Sequence, residues 1–256
     1  MSRLEKSFEF FSRQGIKFLL LELVIVFLGV YGAFLLQNSN EDRRIDAEKQ
    51  KILTGVKEEL EYFRIFFPGF AGNDAVAERN VLIQQDEYDD FSNWRFIQPQ
   101  YNYTAIEYSL GAPAEIIDYD LNADLSTIYR EIRKLEHAEE LMTTLSMEYK
   151  AIPDGLENNA AVQFADENNL LNFVRFNSRA DDRARIMNRL ADLSAEILPN
   201  INSQFPPEYL KDIELSLISE NISASSEAEL EATIPAVQNF FPNLSEEEIR
   251  QAIPIE

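Results

Sequence analysis

The 256-residue sequence contains no cysteine, a single histidine and eight glycines. The absence of cysteine excludes disulfides, thiolate metal sites, iron–sulfur clusters and cysteine nucleophiles. Because His137 is the sole histidine, metal sites built from several imidazoles are excluded, and a Ser-His-Asp triad would depend on this one residue. Glycine is scarce and forms no regular series of turns, which disfavours an all-β barrel or sandwich.

Positive charge is also in short supply, since 45 acidic residues against 23 basic ones give a formal net charge of −22. The first 37 residues hold four basic and three acidic side chains, so the negative charge lies in the rest of the chain. A surface of this sign repels nucleic acid, and we expect no nucleic-acid partner. Two interpretations of the acidity stay open: solubility or a salty habitat, and a docking face for a basic partner.

Motifs for catalysis and cofactor binding are missing from the sequence. It has no P-loop, dinucleotide fingerprint or nucleophile elbow. The alternating polar residues from Asp118 to Asp124 resemble half an EF-hand loop, but Ala123 and Tyr129 stand where glycine and glutamate are needed. We interpret these acids as a helix cap instead. Catalysis by paired carboxylates stays open, but the sequence predicts a non-enzyme without a metal or other cofactor.

One long apolar run stands out, from Phe18 to Leu36 (FLLLELVIVFLGVYGAFLL). At about 1.5 Å per residue, its nineteen residues span about 28 Å, close to the hydrocarbon thickness of a bilayer. The run is longer than the apolar core of a signal peptide, and no small-residue cleavage site follows it. We therefore predict a signal anchor and a single-pass membrane protein.

The flanking charges decide the expected orientation by a narrow margin. Arg13 and Lys17 lie nearer the apolar run than Arg43 and Arg44 do. A short basic N-terminus is also the easier end to retain in the cytoplasm. We predict a cytoplasmic N-terminus and a large domain on the other side of the membrane.

Four residues in the run are candidates for packing against another transmembrane helix. Glu22 is an ionisable group about one turn inside the N-terminal edge. It would contact another helix, take part in proton transfer, or reach water at the boundary, and these alternatives stay open. Gly29 and Ala33 form a small-x-x-x-small pair beside Gly32, and such pairs let helix backbones approach closely.

The remainder of the chain predicts an all-α protein. Apolar residues continue at helical spacing up to Phe67, before Pro68-Gly69, so the transmembrane helix is expected to extend into a stalk. An extramembrane bundle of long antiparallel helices should follow. The expected divisions are an N-terminal segment (1–17), a transmembrane helix (18–36), a stalk (37–67), a bundle domain (68–220) and an acidic tail (221–256).

Apolar periodicity and capping residues mark the bundle helices. The clearest is 120–150, in which Leu121, Leu125 and Ile128 begin a heptad-like stripe that Glu139 and Ser146 interrupt. The other predicted helices are 73–88, 104–111 with Thr104 as its cap, 168–176, 181–198 and 208–218.

The acidic tail contains two similar segments, Ser226–Pro235 and Ser245–Pro254, which align without gaps nineteen residues apart. Each begins with a Ser-x-x-Glu capping box and ends at Ile-Pro, so each predicts a short amphipathic helix. The tail either docks on its own bundle or reaches a partner. In the second case the docking residues would be Phe240, Phe241, Leu244 and Ile249.

Two stretches carry a family resemblance. Leu21 to Phe34 (LELVIVFLGVYGAF) places a Glu one turn into the span before a Gly-Val-x-x-Ala core, and Asn38 to Arg44 (NSNEDRR) follows it. A second block, from Pro99 to Tyr129, adds Thr, Leu-Gly and spaced Leu residues. Together they resemble an uncharacterised family of bacterial single-pass membrane proteins, whose members usually carry Trp at the position of Ser39. The resemblance implies a bacterial, helical, membrane-tethered domain and brings no established activity.

These observations lead to two alternative functions. The first is a non-catalytic accessory or scaffolding subunit of a larger complex in a bacterial inner membrane, with a periplasmic domain. Its partners would be other membrane protein subunits and the lipid bilayer, and self-association stays open. The second is a sensory or regulatory input module, in which a ligand changes the periplasmic bundle and the stalk carries the change inward.

Overall fold

The computed structural model describes the backbone of residues 3–73, 99–148 and 160–255, and the side chains of residues 25–72, 99–148 and 167–255. Within these ranges the protein is helical, and its one β-type pairing is an isolated parallel bridge between Ala224 and Ile255. The all-α prediction is therefore confirmed for the described part. The predicted helix at 73–88 falls almost entirely outside it.

The described helices are seven in number. They are α1 (Arg3–Asn73), α2 (Thr104–Ser109), α3 (Tyr119–Met147), α4 (Ala160–Asn202), α5 (Pro207–Asn221), α6 (Glu227–Phe240) and α7 (Glu246–Ala252). The chain divides into two compact units, residues 1–49 and 50–256.

The first unit is the N-terminal part of α1. Nine large apolar side chains between Ile25 and Leu36 are each more than half exposed. Among the residues with described side chains, no helix is both long enough and apolar enough to cross a membrane. Residues 18–24 of the predicted span lie outside that range.

In the second unit, the last part of α1 buries the predicted apolar stripe. Val56, Leu60, Phe63 and Phe67 are fully buried. The helix does not end at Phe67, as the Pro68-Gly69 pair suggests, but continues through Pro68 to Asn73. Proline costs the helix one hydrogen bond. Ala71, the next buried residue after Pro68, contributes toward offsetting that loss.

Gly55 explains how closely α1 and α2 approach each other. A Cβ atom on Gly55 would lie 2.8 Å from the Cβ of Ala105. Gly55→Ala should therefore destabilise the protein by about 1–3 kcal/mol through overpacking, although alanine favours a helix by about 1 kcal/mol. Gly69→Ala is the matched control, because nothing outside the adjoining residues and backbone of its own helix lies within 4 Å of its Cβ position. Urea denaturation measures both, and equal stability of the two variants would contradict the close approach.

Helix α3 begins and packs largely as its sequence predicts. The Asp118 carboxylate accepts a 2.8 Å hydrogen bond from the Leu121 backbone N–H, so this acid is a helix cap. The apolar stripe of the helix is buried and consists of Leu121, Leu125, Ile128, Ile132, Leu135 and Met142.

Helices α3 and α4 pack side by side in opposite directions. Glu131 near the middle of α3 pairs with Arg189 in the second half of α4, whereas Glu148 just after α3 accepts a hydrogen bond from Asn172 in the first half of α4. This order confirms an antiparallel pair.

Helix α4 is one helix where the sequence suggests two, 168–176 and 181–198. The polar stretch from residue 177 to residue 182 interrupts the apolar pattern without breaking the helix, because Ala180 keeps the buried face continuous. That face also contains three polar residues, Asn169, Arg183 and Ser194, while Ile186 and Leu193 are only half-buried beside it.

The tail forms its own core with α5. A cluster of nine buried apolar residues runs from Ile218 to Ile253, and Ile65 of α1 packs against it. The end of the chain is held where the Ala224 N–H donates to the Pro254 carbonyl at 3.0 Å. The tail therefore packs on the chain's own helices.

The two repeated tail segments differ in detail. Ser245 and Glu248 form the predicted capping box of α7. Ser226 caps α6 by accepting from the Glu229 N–H, but the Glu229 carboxylate bonds Ser225 instead of completing the box.

Helix α6 also runs past Pro235 to Phe240, so the predicted end at Ile-Pro is wrong for this segment. Pro235 is on the exposed face, where water can satisfy the carbonyl that loses its partner, and the longer helix buries Val237.

Candidate functional site

The first candidate surface is the small-residue face of α1. Gly29 and Ala33 are four residues apart and therefore share one face of the helix. Apart from the adjoining residues and backbone of α1 itself, no atom lies within 4 Å of where a Cβ would stand on Gly29 or Gly32. A second helix could therefore approach the backbone here. Glu22, the fourth residue predicted for this surface, lies outside the described side chains.

A buried ion network surrounds Lys57 in the second unit. The Lys57 ammonium is fully buried, 3.1 Å from the Glu61 carboxylate and 3.6 Å from that of Glu214. Arg64 donates from Nε to the other Glu61 oxygen at 2.7 Å. Burial raises the pKa of Glu214, and Lys57 opposes that rise. The network links α1 to α5 with two positive and two negative groups.

Arg64 connects this network to the predicted docking residues of the tail. Its Nη2 donates to the Phe240 carbonyl at 3.1 Å, and its guanidinium lies 5.4 Å from the centre of the Phe240 ring. Phe241, Leu244 and Ile249 are buried in the chain's own tail core. Of the four predicted residues, Phe240 is the one with an exposed ring.

Glu59 supplies the cap of α2 from a distant part of the chain. Its two carboxylate oxygens accept from the backbone N–H groups of Ala105 and Ile106, both at 2.9 Å. Thr104 is not the cap that the sequence predicts, because its hydroxyl donates to the Asn102 side chain. Burial raises the pKa of Glu59 to about 6 even though these donors favour the charged form.

Glu59→Gln should destabilise the protein by about 1–3 kcal/mol at pH 7, because the amide nitrogen faces a backbone donor. A pKa above 4.5 in the folded state means that the contribution of Glu59 is full below pH 4.5 and falls as pH rises through 6. The advantage of the wild type over the variant should shrink by up to about 2 kcal/mol across that window. Urea denaturation at a series of pH values measures it, and an advantage that grows with pH would contradict the assignment.

A second buried ion pair joins α3 to α4. Arg183 donates from Nε to Glu139 at 2.9 Å, and both side chains are buried. The Tyr101 hydroxyl donates to the other Glu139 oxygen at 3.5 Å. Burial, together with the nearby carboxylates, raises the pKa of Tyr101. The sequence shows half of this pair, since Glu139 interrupts the apolar stripe of α3, but it gives no local sign of the partner.

His137 is exposed and lines two cavities beside α3. The larger, of about 900 Å³, includes Tyr101 and Tyr103. Tyr103 donates to Glu136 at 2.6 Å, and this hydrogen bond raises the pKa of Tyr103. The threonine hydroxyls in this lining, Thr143 and Thr144, donate to backbone carbonyls of their own helix.

The smaller cavity, of about 400 Å³, lies between α3 and α4 and is lined by several basic residues. Throughout the ranges with described side chains, no cluster of three or more His, Asp or Glu residues is placed to hold a metal ion.

Comparisons with protein-family models, curated proteins and solved structures find no significant match to this chain. The resemblance to a bacterial single-pass membrane family therefore stays a prediction.

Proposed function

We propose that the chain is a non-catalytic, membrane-anchored accessory or scaffolding subunit of a larger membrane complex. The observation that carries the proposal is the exposed apolar surface of α1 between Ile25 and Leu36. Its first four positions, Ile25 to Leu28, are consecutive and therefore cover every side of the helix. A helix that is apolar all round is suited to lipid or to neighbouring helices.

In this proposal, residues 18 to 36 form a transmembrane helix that spans a bacterial inner membrane. The N-terminus is cytoplasmic, and the helix continues as a stalk into a periplasmic antiparallel bundle. The length of the apolar run in the sequence supports the span, and the continuity of α1 from Arg3 to Asn73 supports the stalk.

The described ionic groups of the second unit favour scaffolding over chemistry. Lys57 pairs with Glu61 and Glu214, and Arg183 pairs with Glu139, so these buried charges join helices to one another. The 45 acidic residues of the chain outnumber its 23 basic ones, and in this proposal the excess negative charge would face the extramembrane part of the complex.

The test replaces the small residues of α1 with bulky ones. Gly29→Leu with Ala33→Leu should abolish co-purification of partner subunits in mild detergent, because leucine side chains keep a second helix away from the backbone. Phe27→Leu with Tyr31→Leu is the matched control, since both residues lie on the opposite face. Retention of the partners by the first variant, or their equal loss from both, would contradict packing through Gly29 and Ala33.

The alternative is a sensory or regulatory input module with a ligand-responsive domain. The observation in its favour is that α1 carries both the exposed apolar residues and the buried network around Lys57. The same variants separate the two functions. Assembly that survives Gly29→Leu and Ala33→Leu while a response is lost would favour the sensor.

A further inference from the structure

The cavity of about 400 Å³ between α3 and α4 has a basic rim on an otherwise acidic protein. Four cations line it against two carboxylates, which leaves a formal surplus of two positive charges. His137 and the apolar atoms of Ala138, Leu141 and Ile186 complete the lining. The charged residues are Lys134, Arg179, Arg185, Arg189, Glu131 and Asp182.

The carboxylate on α3 anchors two of the cations. Glu131 is only 5% exposed on its side chain, whereas Lys134 and Arg189 are more than half exposed. The Lys134 ammonium lies 2.8 Å from Glu131, and Arg189 Nε lies 3.7 Å from it. Glu131 thus positions two cations whose charged ends remain open to solvent.

The carboxylate on α4 does the same for the other two cations. Asp182 accepts from Arg179 at 3.0 Å and from Arg185 at 2.6 Å, one guanidinium on each of its oxygens. Each guanidinium has five N–H donors, so most of its donors are left for a ligand. A planar guanidinium matches two oxygens of a phosphate group, which makes this arrangement suited to an oxyanion.

We propose that this cavity binds a small organic anion that carries a phosphate-type group. The charged group would lie among the guanidiniums and Lys134, and the apolar part would contact Leu141 and Ile186. The volume is at the lower end of the range for small-molecule sites, which favours a small ligand over a protein segment. The proposal goes beyond the scaffolding function and does not depend on it.

The test titrates inorganic pyrophosphate into the full chain in a neutral detergent and follows the heat of binding. Saturable one-to-one binding is expected, weakened by added salt. Arg179→Gln with Arg185→Gln should raise the Kd at least about tenfold, because each lost charged hydrogen bond is worth about a factor of ten or more. Lys134→Gln, which changes one exposed side chain on α3, should also raise the Kd.

Arg44→Gln with Arg250→Gln is the matched control, because it also removes two cations, which pair with Glu41 and with Glu227 outside the cavity. Its Kd should stay within about twofold of the wild type. Equal weakening by control and cavity variants, or no heat at millimolar pyrophosphate, would overturn the proposal. Binding of a polyglutamate peptide that pyrophosphate does not displace would also overturn it, in favour of an acidic protein segment.

A second experiment identifies the source of the phosphate group. It repeats the pyrophosphate titration with the full chain in micelles that contain either phosphatidylglycerol or phosphatidylcholine. If pyrophosphate binds more weakly in the phosphatidylglycerol micelles than in the phosphatidylcholine micelles, the lipid competes for the cavity. That result would support the site and assign it to a lipid headgroup. Equal pyrophosphate affinity in both micelles would support the site and assign it to a soluble phosphate compound.

Discussion

Arg183→Met is expected to lower the free energy of unfolding by about 3–5 kcal/mol, because it removes the guanidinium that neutralises Glu139 between α3 and α4. Both side chains are buried, so water cannot take the place of the missing cation. Urea denaturation of the full chain in mild detergent, followed by circular dichroism, measures the loss.

Two controls separate the loss of charge pairing from the loss of packing. Arg183→Met with Glu139→Met should recover most of the stability, because both charges leave the core together. Arg179→Met should cost at most about 1 kcal/mol, since Arg179 pairs with Asp182 at the surface. A loss below about 1 kcal/mol for Arg183→Met, or a double variant no better than the single one, would contradict the buried pair.

Lys57→Met should destabilise the protein by a similar amount, about 3–5 kcal/mol, because this buried ammonium pairs with Glu214 and shares Glu61 with Arg64. The loss should grow as pH rises. Burial already raises the pKa of Glu214 in the folded state, and removal of Lys57 raises it further. A group whose pKa is raised by folding contributes its full stabilisation at pH values below its pKa in the unfolded state. That contribution to the free energy of unfolding is lost as pH rises through its pKa in the folded state.

The matched control is Lys51→Met, which removes an exposed lysine from the same helix. Its cost should be small, because a solvated lysine has little net interaction with its surroundings. The comparison is made by urea denaturation at several pH values above 4.5, the ordinary pKa of Glu214. Equal effects of the two substitutions, or a Lys57→Met effect that shrinks as pH rises, would count against the network.

Local sequence patterns predicted the parts of the fold that depend on local spacing. The stripes through Val56 and Leu60 on α1 and through Leu121 and Leu125 on α3 are buried, because helical periodicity directly determines which residues share a face. The capping box of Ser245 is likewise a four-residue pattern, and the structure contains it.

Helix ends at proline were predicted less well, since tertiary packing outweighs a local preference. The sequence predicts helix ends at Pro68 and Pro235, yet both prolines lie inside helices whose next turns bury apolar residues. The cost of proline is a few kcal/mol, which burial of side chains such as Val237 can offset.

The long-range polar contacts could not be read from the sequence. Glu59 reaches α2 across 46 residues of chain, and Glu139 reaches Arg183 across 44. A single sequence offers no spacing rule for such pairs, because their geometry is set by how helices pack. The basic cavity between α3 and α4 is hidden for the same reason. The face that contains Gly29 and Ala33 was visible, since four-residue spacing on one helix is a local property.

The proposed anchoring in a membrane complex is tested most directly by isolating cell membranes and extracting them with a mild detergent. Native-gel separation and mass spectrometry of the migrating species then identify what accompanies the protein. The account predicts that the protein stays with the membrane until detergent is added and then migrates with other membrane proteins in fixed stoichiometry. Release without detergent, or migration alone or only with copies of itself, would contradict the proposed role as a subunit.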